Sequence, residues 1–311
     1  MRIVFMGTPE FAVPCLEALI EQKHDIIAVV TQPDRARDRG KKLAPPPVKV
    51  RAEEAGIPVY QPERIKTGEF VETLRALKPD AMIVVAFGQM LSQEILDIPS
   101  YGCINVHASL LPQYRGAAPI NWCIINGEQK TGVTTMYMDK GMDTGDMIIK
   151  RELEISENAT AGELHDRLML LGASVLSETM ELIQKGNAPR ITQDSSNATY
   201  APIMDKKLGS IDWTKSAPDI RNLIRGTYPW PGAYSTYNGK VFKIFAADIV
   251  DNDTPNKNPG CISRVGRNSI TVACGKGSLR ISELQFQNEK RMAVEAYLRG
   301  HEILEDTVLG Q

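Results

Sequence analysis

Short apolar runs alternate with amphipathic stretches through the first half of the chain, and that alternation limits the fold more than any other feature. The runs are Arg2 to Met6, Ile26 to Thr31, Val59-Tyr60, Ala81 to Ala86 and Cys103 to His107. Their length and β-branched content suit buried strands. Helices fit at Pro9 to Gln22, Val48 to Ala55, Glu69 to Leu77, Ser92 to Leu96 and Ala117 to Ile125. Strands alternating with helices imply a mostly parallel sheet joined by right-handed crossovers. The expected class is therefore α/β with a Rossmann-like sheet. Val133 to Met138 and Met147 to Leu153 bracket a loop from Gly141 to Gly145 and should add antiparallel edge strands. A long amphipathic helix, Ala161 to Gln184, closes this region, with Gly186 as its stop signal.

The pattern then changes. Asp194, Ser195, Ser196 and Asn197 supply turn chemistry, and residues 190–207 read as a linker between a domain at 1–189 and one at 208–311. Ala217 to Arg225 reads as a helix with Ser216 as cap and Pro218 in its first turn. Short strands follow at Ala233 to Tyr237, Lys240 to Ile249, Cys261 to Val265, Ser269 to Ala273 and Leu279 to Phe286. Hairpin turns such as Asn238-Gly239 separate them, which points to a small OB-like β-barrel.

Composition removes several classes of function. The chain has 311 residues, and its 42% hydrophobic and 24% charged content suits two folded domains. Its apolar runs are far too short to span a bilayer, and the N-terminus lacks the apolar core of a secretory signal. Five scattered cysteines without a CxxC suggest neither a zinc site nor a disulfide framework, so a reduced, cytoplasmic setting is expected. Cys15, Cys103 and Cys123 read as small core residues. The net charge of −2 does not mark a dedicated nucleic-acid binder, but it is unevenly spread. Residues 190–311 carry 16 Lys+Arg against 13 Asp+Glu, whereas residues 1–189 carry 20 against 25. A polyanionic partner would be met by the C-terminal part.

The chemistry is concentrated at one strand end. Side chains alternate along a strand, so Asn105 and His107 share a face, roughly 7 Å apart. Asn105 is a neutral donor suited to an oxyanion, and His107 exchanges a proton near neutral pH. The loop Ser109-Leu110-Leu111-Pro112-Gln113-Tyr114-Arg115-Gly116 follows, stiffened by Pro112. Arg115 could anchor that loop or touch a substrate. Asp143-Thr144-Gly145 is an aspartic-protease tripeptide, but it follows a βα series with no second Asp across a two-fold. Asp139 and Asp146 read as solvated turn residues. Gly7-Thr8-Pro9 occupies the place of a dinucleotide fingerprint, but Pro9 and Ala12 stand where its second and third glycines would be, and no acidic residue closes the second strand. That excludes a nicotinamide-dependent oxidoreductase.

Together, Asn105, His107, Ser109 to Gly116 and Asp143 closely resemble the formyltransferases that use 10-formyltetrahydrofolate. The likeness continues in Gly7-Thr8-Pro9-Glu10-Phe11, Thr31-Gln32-Pro33-Asp34-Arg35, Arg39-Gly40-Lys41-Lys42-Leu43, Asp212-Trp213 and Pro229-Trp230-Pro231. The Arg39 to Leu43 loop and the C-terminal third resemble the methionyl-tRNA branch of that family. The resemblance implies formyl transfer to initiator methionyl-tRNA for translation initiation. That chemistry needs no metal and the sequence shows no metal-ligand cluster, and because no unpaired apolar helix face stands out the chain is expected to act as a monomer. The resemblance implies catalytic roles for Asn105, His107 and Asp143, with Asp143 orienting His107. It places the folate against Phe87, Met90, Leu91, Ser109, Leu110, Leu111 and Pro112. It places tRNA against Arg39, Lys41 and Lys42, and the linker residues Lys206 and Lys207 are further candidates. Other readings stay open at this point: a formyltransferase of a small amine (an amino sugar or a purine precursor), a folate-dependent hydrolase, or an RNA-binding protein on an OB scaffold.

Overall fold

The computed structural model describes residues 1–37, 42–250 and 257–310. It divides into two compact units. The first comprises Met1–Pro119, Lys130–Glu154 and His165–Ala201, and the second Ile120–Gln129, Ile155–Leu164 and the chain from Pro202 onward.

The first unit is built on strands β1 (Arg2–Gly7), β2 (Asp25–Val30), a hairpin of β3 (Arg35–Arg37) and β4 (Lys42–Ala44), β5 (Val59–Tyr60), β6 (Ala81–Val85), β7 (Cys103–His107), β8 (Arg115–Gly116), β9 (Lys130–Tyr137) and β10 (Met147–Glu154). Helices α1 (Val13–Glu21), α2 (Pro47–Glu54), α3 (Gly68–Leu77) and α4 (Gln93–Leu96) provide the crossovers; α5 (Pro119–Ile125) belongs to the second unit from Ile120 onward, and α6 (Ala161–Gln184) to the first from His165 onward. The main sheet runs β10-β9-β7-β6-β1-β2-β5. Its β7-β6-β1-β2-β5 portion is parallel, and β9 and β10 pair antiparallel at the end, as the sequence implied. All five residues of β6 are buried, which explains its unbroken apolar run.

The strand order turns back at β1, flanked by β6 on one side and β2 on the other. Such a switch opens a crevice at the carboxyl ends of the strands. Gly7, Val85 and His107 end β1, β6 and β7 on that edge.

Some boundaries differ from the sequence reading for identifiable reasons. Helix α5 starts at Pro119 and not at Ala117, because the N–H groups of Ala117 and Ala118 both donate to the Ala201 carbonyl, at 2.9 and 3.3 Å. Residues 190–201, within the stretch read as linker, are bonded into the first unit. Ile191 forms a bridge with Met147, and β11 (Tyr200–Ala201) pairs parallel with β8. These bonds link residues distant in sequence, so they leave no local periodicity to read.

In the second unit α7 (Ala217–Gly226) is capped by Ser216, whose Oγ accepts the Asp219 N–H at 3.2 Å. Strands β12 (Tyr234–Tyr237), β13 (Lys240–Val250), β14 (Ile262–Val265), β15 (Ile270–Ala273) and β16 (Ser278–Phe286) coincide with the five expected runs to within one residue at each end. Two elements escaped the sequence reading, β17 (Met292–Ala293) and α8 (Val294–Leu298). The antiparallel order is β12-β13-β16-β15-β14, with β17 beside β16. Register shifts between Ile244 and Ala247 bend β13, and the sheet curls into a half-barrel. Phe242, Phe286 and Tyr297 stack in its core, with centroids 5.1 and 4.7 Å apart.

Candidate active site

Asn105 and His107 lie in register with Met136 and Thr134 of β9, and both are buried. The loop after β7 crosses the strand ends. Ser109 Oγ donates to the Gln113 carbonyl at 2.6 Å, and Thr134 Oγ1 donates to the Ser109 carbonyl at 2.7 Å. Its exit is clamped by the 199–201 segment, where Tyr114 N–H donates to Thr199 Oγ1 and Arg115 N–H to the Thr199 carbonyl, each at 2.9 Å.

The structure brings Asn105, His107 and Asp143 together. His107 Nε2 lies 3.0 Å from the Tyr114 carbonyl. A carbonyl can only accept, so Nε2 carries the proton and Nδ1 is the nitrogen free to exchange one. Nδ1 faces Asp143 Oδ2 at 3.7 Å, an ion pair when the ring is charged but too long for a hydrogen bond. Asp143 Oδ2 accepts the Gly116 N–H at 2.8 Å, and Oδ1 lies 3.5 Å from Asn105 Nδ2. The ring is thus oriented by the Tyr114 carbonyl more directly than by Asp143, and the carboxylate is held by Gly116. Neither backbone group could be found from sequence, because every residue type carries the carbonyl and all but proline carry the N–H.

Asp143 sits in the left-handed region at φ +54°. Asp139 braces its loop by accepting from Gly141 N–H at 3.0 Å and Thr144 Oγ1 at 2.6 Å. Asp146 accepts from Thr192 Oγ1 at 3.1 Å and pairs with Arg190 at 3.8 Å. Both do more than solvate a turn. Arg115 is 2% exposed and buried inside the fold, which makes it an anchor.

The folate candidates separate by exposure. Phe87 and Leu91 are buried in the core of the first unit, and Leu111 packs fully buried with Met136 and Met147. The Ser109 hydroxyl is occupied internally. Met90 is 47% exposed, and Leu110 and Pro112 are partly exposed. Gly88, at φ +85°, has only the Gln32 side chain near the place a Cβ would take, at 3.7 Å, so its backbone is open to a flat ligand.

Of the tRNA candidates, Arg39 and Lys41 lie outside the described residues. Lys42 pairs with Arg37 in the β3–β4 hairpin. Lys206 and Lys207 are exposed in the second unit. The root of the hairpin is fixed by a network the sequence did not announce. Lys49 Nζ donates to both Asp34 carboxylate oxygens, at 3.0 and 2.9 Å, and to Gln61 Oε1 at 2.8 Å. Gln61 Nε2 returns a bond to Asp34 at 2.8 Å. Hydrogen bonds from Lys49 and then Gln61 hold the Asp34 carboxyl below the usual carboxylate range.

All five cysteines are buried and none forms a disulfide among the described residues. Burial pushes the Cys15 and Cys103 thiols up to about 12, so they are inert packing groups. Among the described residues, no helix is long and apolar enough to cross a membrane.

Residues 1–180 match the formyl transferase family, and residues 203–302 match the formyl transferase C-terminal domain. The methionyl-tRNA formyltransferase of Acetivibrio thermocellus is 55% identical over 311 residues, covering 100% of both chains. That of Clostridioides difficile is 54% identical over 310 residues, again covering 100% of both. Among solved structures, an N-formyltransferase from Helicobacter canadensis, in complex with folinic acid and dTDP-3-aminofucose, has a TM-score of 0.68 at 20% identity. That match covers 92% of this chain and 99% of the other. HypX from Aquifex aeolicus in complex with tetrahydrofolic acid has a TM-score of 0.63 at 17% identity, covering 99% of this chain and 50% of that one. At those identities the likeness is one of fold.

Proposed function

The chain belongs to the formyl transferase family, and from that premise we infer that it transfers a formyl group to the α-amine of methionine esterified to initiator tRNA. The observation that carries this reading is the convergence of Asn105, His107 and Asp143 at the end of β7, in a chain matched over its whole length by methionyl-tRNA formyltransferases. The donor in this reading is 10-formyltetrahydrofolate, which supplies a formyl carbon on a nitrogen that can leave. Gly88, Met90, Leu110 and Pro112 would hold its ring, while Phe87, Leu91 and Leu111 support them from the core.

The acceptor must be a free amine, since an ammonium has no lone pair. Its attack places negative charge on the formyl oxygen. Asn105 spends one N–H on Asp143 at a long 3.5 Å and keeps another for that charge. His107 handles the proton at Nδ1, because its Nε2–H is held by the Tyr114 carbonyl. Protonated there, it faces the developing oxyanion and pairs with Asp143, which relays the proton shed by the attacking nitrogen to the departing folate nitrogen. Burial of both groups makes their charges count for more than they would in water.

On the acceptor side, Arg39, Lys41 and Lys42 would meet the tRNA, with Lys206 and Lys207 as further backbone contacts. The reading carries with it a role in translation initiation, a cytoplasmic location and a chain acting as a monomer. Formyl transfer to charged initiator tRNA, charged elongator tRNA and a nucleotide-linked amino sugar tests it. Turnover with charged initiator tRNA alone is expected. Turnover with the amino sugar and none with charged tRNA would overturn it.

A further inference from the structure

Resting on that reading, we propose that Gln193 is a positioning residue: its buried amide locks the loop carrying Asp143 to the segment around Arg115, whose backbone holds both His107 and Asp143. Gln193 is 7% exposed and follows helix α6 in the segment that sequence alone reads as linker. Its Nε2 donates to two carbonyls of the catalytic loop, Asp143 and Gly145, each at 2.8 Å. Its Oε1 accepts two bonds from Arg115, from Nε at 3.1 Å and Nη2 at 2.8 Å. One side chain thus joins two segments 28 residues apart in sequence, at Arg115 and Asp143.

The position of Arg115 gives the clamp its consequence. Its neighbours are Tyr114, whose carbonyl takes the His107 Nε2–H, and Gly116, whose N–H holds Asp143 Oδ2. A shift of Arg115 therefore moves both backbone groups together, and a shift of the 143–145 loop moves the carboxylate against them. Among the described residues no carboxylate pairs with the Arg115 guanidinium. Its other side-chain partner is Ser195 Oγ, at 3.5 Å. A buried charge resting on a neutral amide fixes geometry more than it adds stability. Only an amide supplies two donors toward one segment and an acceptor toward the other. A glutamate would lose the donors, and a methionine would lose both functions.

The test is a double-mutant cycle on formyl transfer to charged initiator tRNA, with Gln193→Met, Asp143→Asn and the pair, each checked by thermal melting. Gln193→Met should lower kcat by about 10²-fold, the scale for a misplacement near 1 Å. KM for both substrates should stay within about twofold, since neither binding surface is touched. In the Asp143→Asn background the same change should cost less than about threefold, because placing a disabled group no longer matters. Wild-type kcat in Gln193→Met, or its full loss repeated on top of Asp143→Asn, would overturn the proposal. If Gln193→Met does not fold, Gln193→Asn, one carbon short, enters the same cycle with the same expectations. A fully active Asp143→Asn would sink the catalytic reading along with the proposal. A crippled Asp143→Asn beside an intact Gln193 variant would sink the proposal alone.

Discussion

Gly116 donates its backbone N–H to Asp143 Oδ2 at 2.8 Å, so the Asp143 carboxylate is held by the loop that follows His107. Gly116 has φ +118°, and a Cβ there would stand 2.7 Å from the Ala201 carbonyl oxygen. Neither the backbone conformation nor the close approach can accept a methyl group without a shift of β8 against β11. Gly116→Ala should therefore destabilise the protein by about 1–3 kcal/mol and reduce kcat by at least about 10-fold. Denaturant unfolding and steady-state kinetics check the two effects. An alanine variant with wild-type stability and turnover would mean this hydrogen bond does not place Asp143.

Asn105 separates charge stabilisation from simple binding. Asn105→Ala removes the donor assigned here to charge formed only during reaction, so kcat should fall by about 10²–10³-fold while KM for folate and tRNA changes little. Asn105→Asp should be at least as damaging, since it sets a second carboxylate beside Asp143. A rise in KM with unchanged kcat would move Asn105 from the reacting atoms to the binding surface.

Much of this molecule is legible in the sequence, and the illegible parts share a cause. The alternation of Arg2 to Met6, Ile26 to Thr31 and their successors encodes the parallel sheet, because strands buried on both faces need continuous apolar runs. Asn105 and His107 are legible as a pair because β7 alternates faces. The OB-like strands are legible because Asn238-Gly239 and similar turns punctuate them. What escapes is bonding between residues far apart in sequence: the Tyr114 carbonyl on His107, the Gly116 N–H on Asp143, and Gln193 on both loops. Ala201 displaces the start of α5 for the same reason. A polar tract without periodicity reads as linker whether it is solvated or buried, and only its partners distinguish the two.

The basic segment between β3 and β4 offers a test of the acceptor. If Arg39 meets a tRNA phosphate, Arg39→Ala should weaken transfer to charged tRNA and leave folate binding unchanged. The log–log salt dependence should flatten by about 0.9 for each duplex phosphate that is no longer neutralised. Equal activity of the variant and the wild type on every tRNA, at every salt concentration, would return the segment to an ordinary solvated charge run.

The Lys49 clamp at the root of that hairpin should respond to acid in a defined direction. Asp34 has its carboxyl pulled below the ordinary value of 3.8 by Lys49 and Gln61. The ionised pair therefore contributes fully above that value, and its contribution is lost as pH falls through the lower, folded value. The Tm difference between wild type and Asp34→Asn should be constant from about pH 8 to 5 and shrink below about pH 4. A difference that shrank between neutral pH and pH 5 would show that a different group governs the clamp.

The most direct measurement of the central claim is kcat for formyl transfer from 10-formyltetrahydrofolate to charged initiator tRNA in wild type and in folded His107→Ala. The buried ring, oriented by the Tyr114 carbonyl and facing Asp143 at 3.7 Å, is the group assigned to carry the proton. Its removal should lower kcat by about 10²–10⁴-fold, with folate and tRNA affinities near those of wild type. Near-normal turnover in a His107→Ala protein with an intact melting transition would contradict the account, and proton transfer would have to be assigned elsewhere.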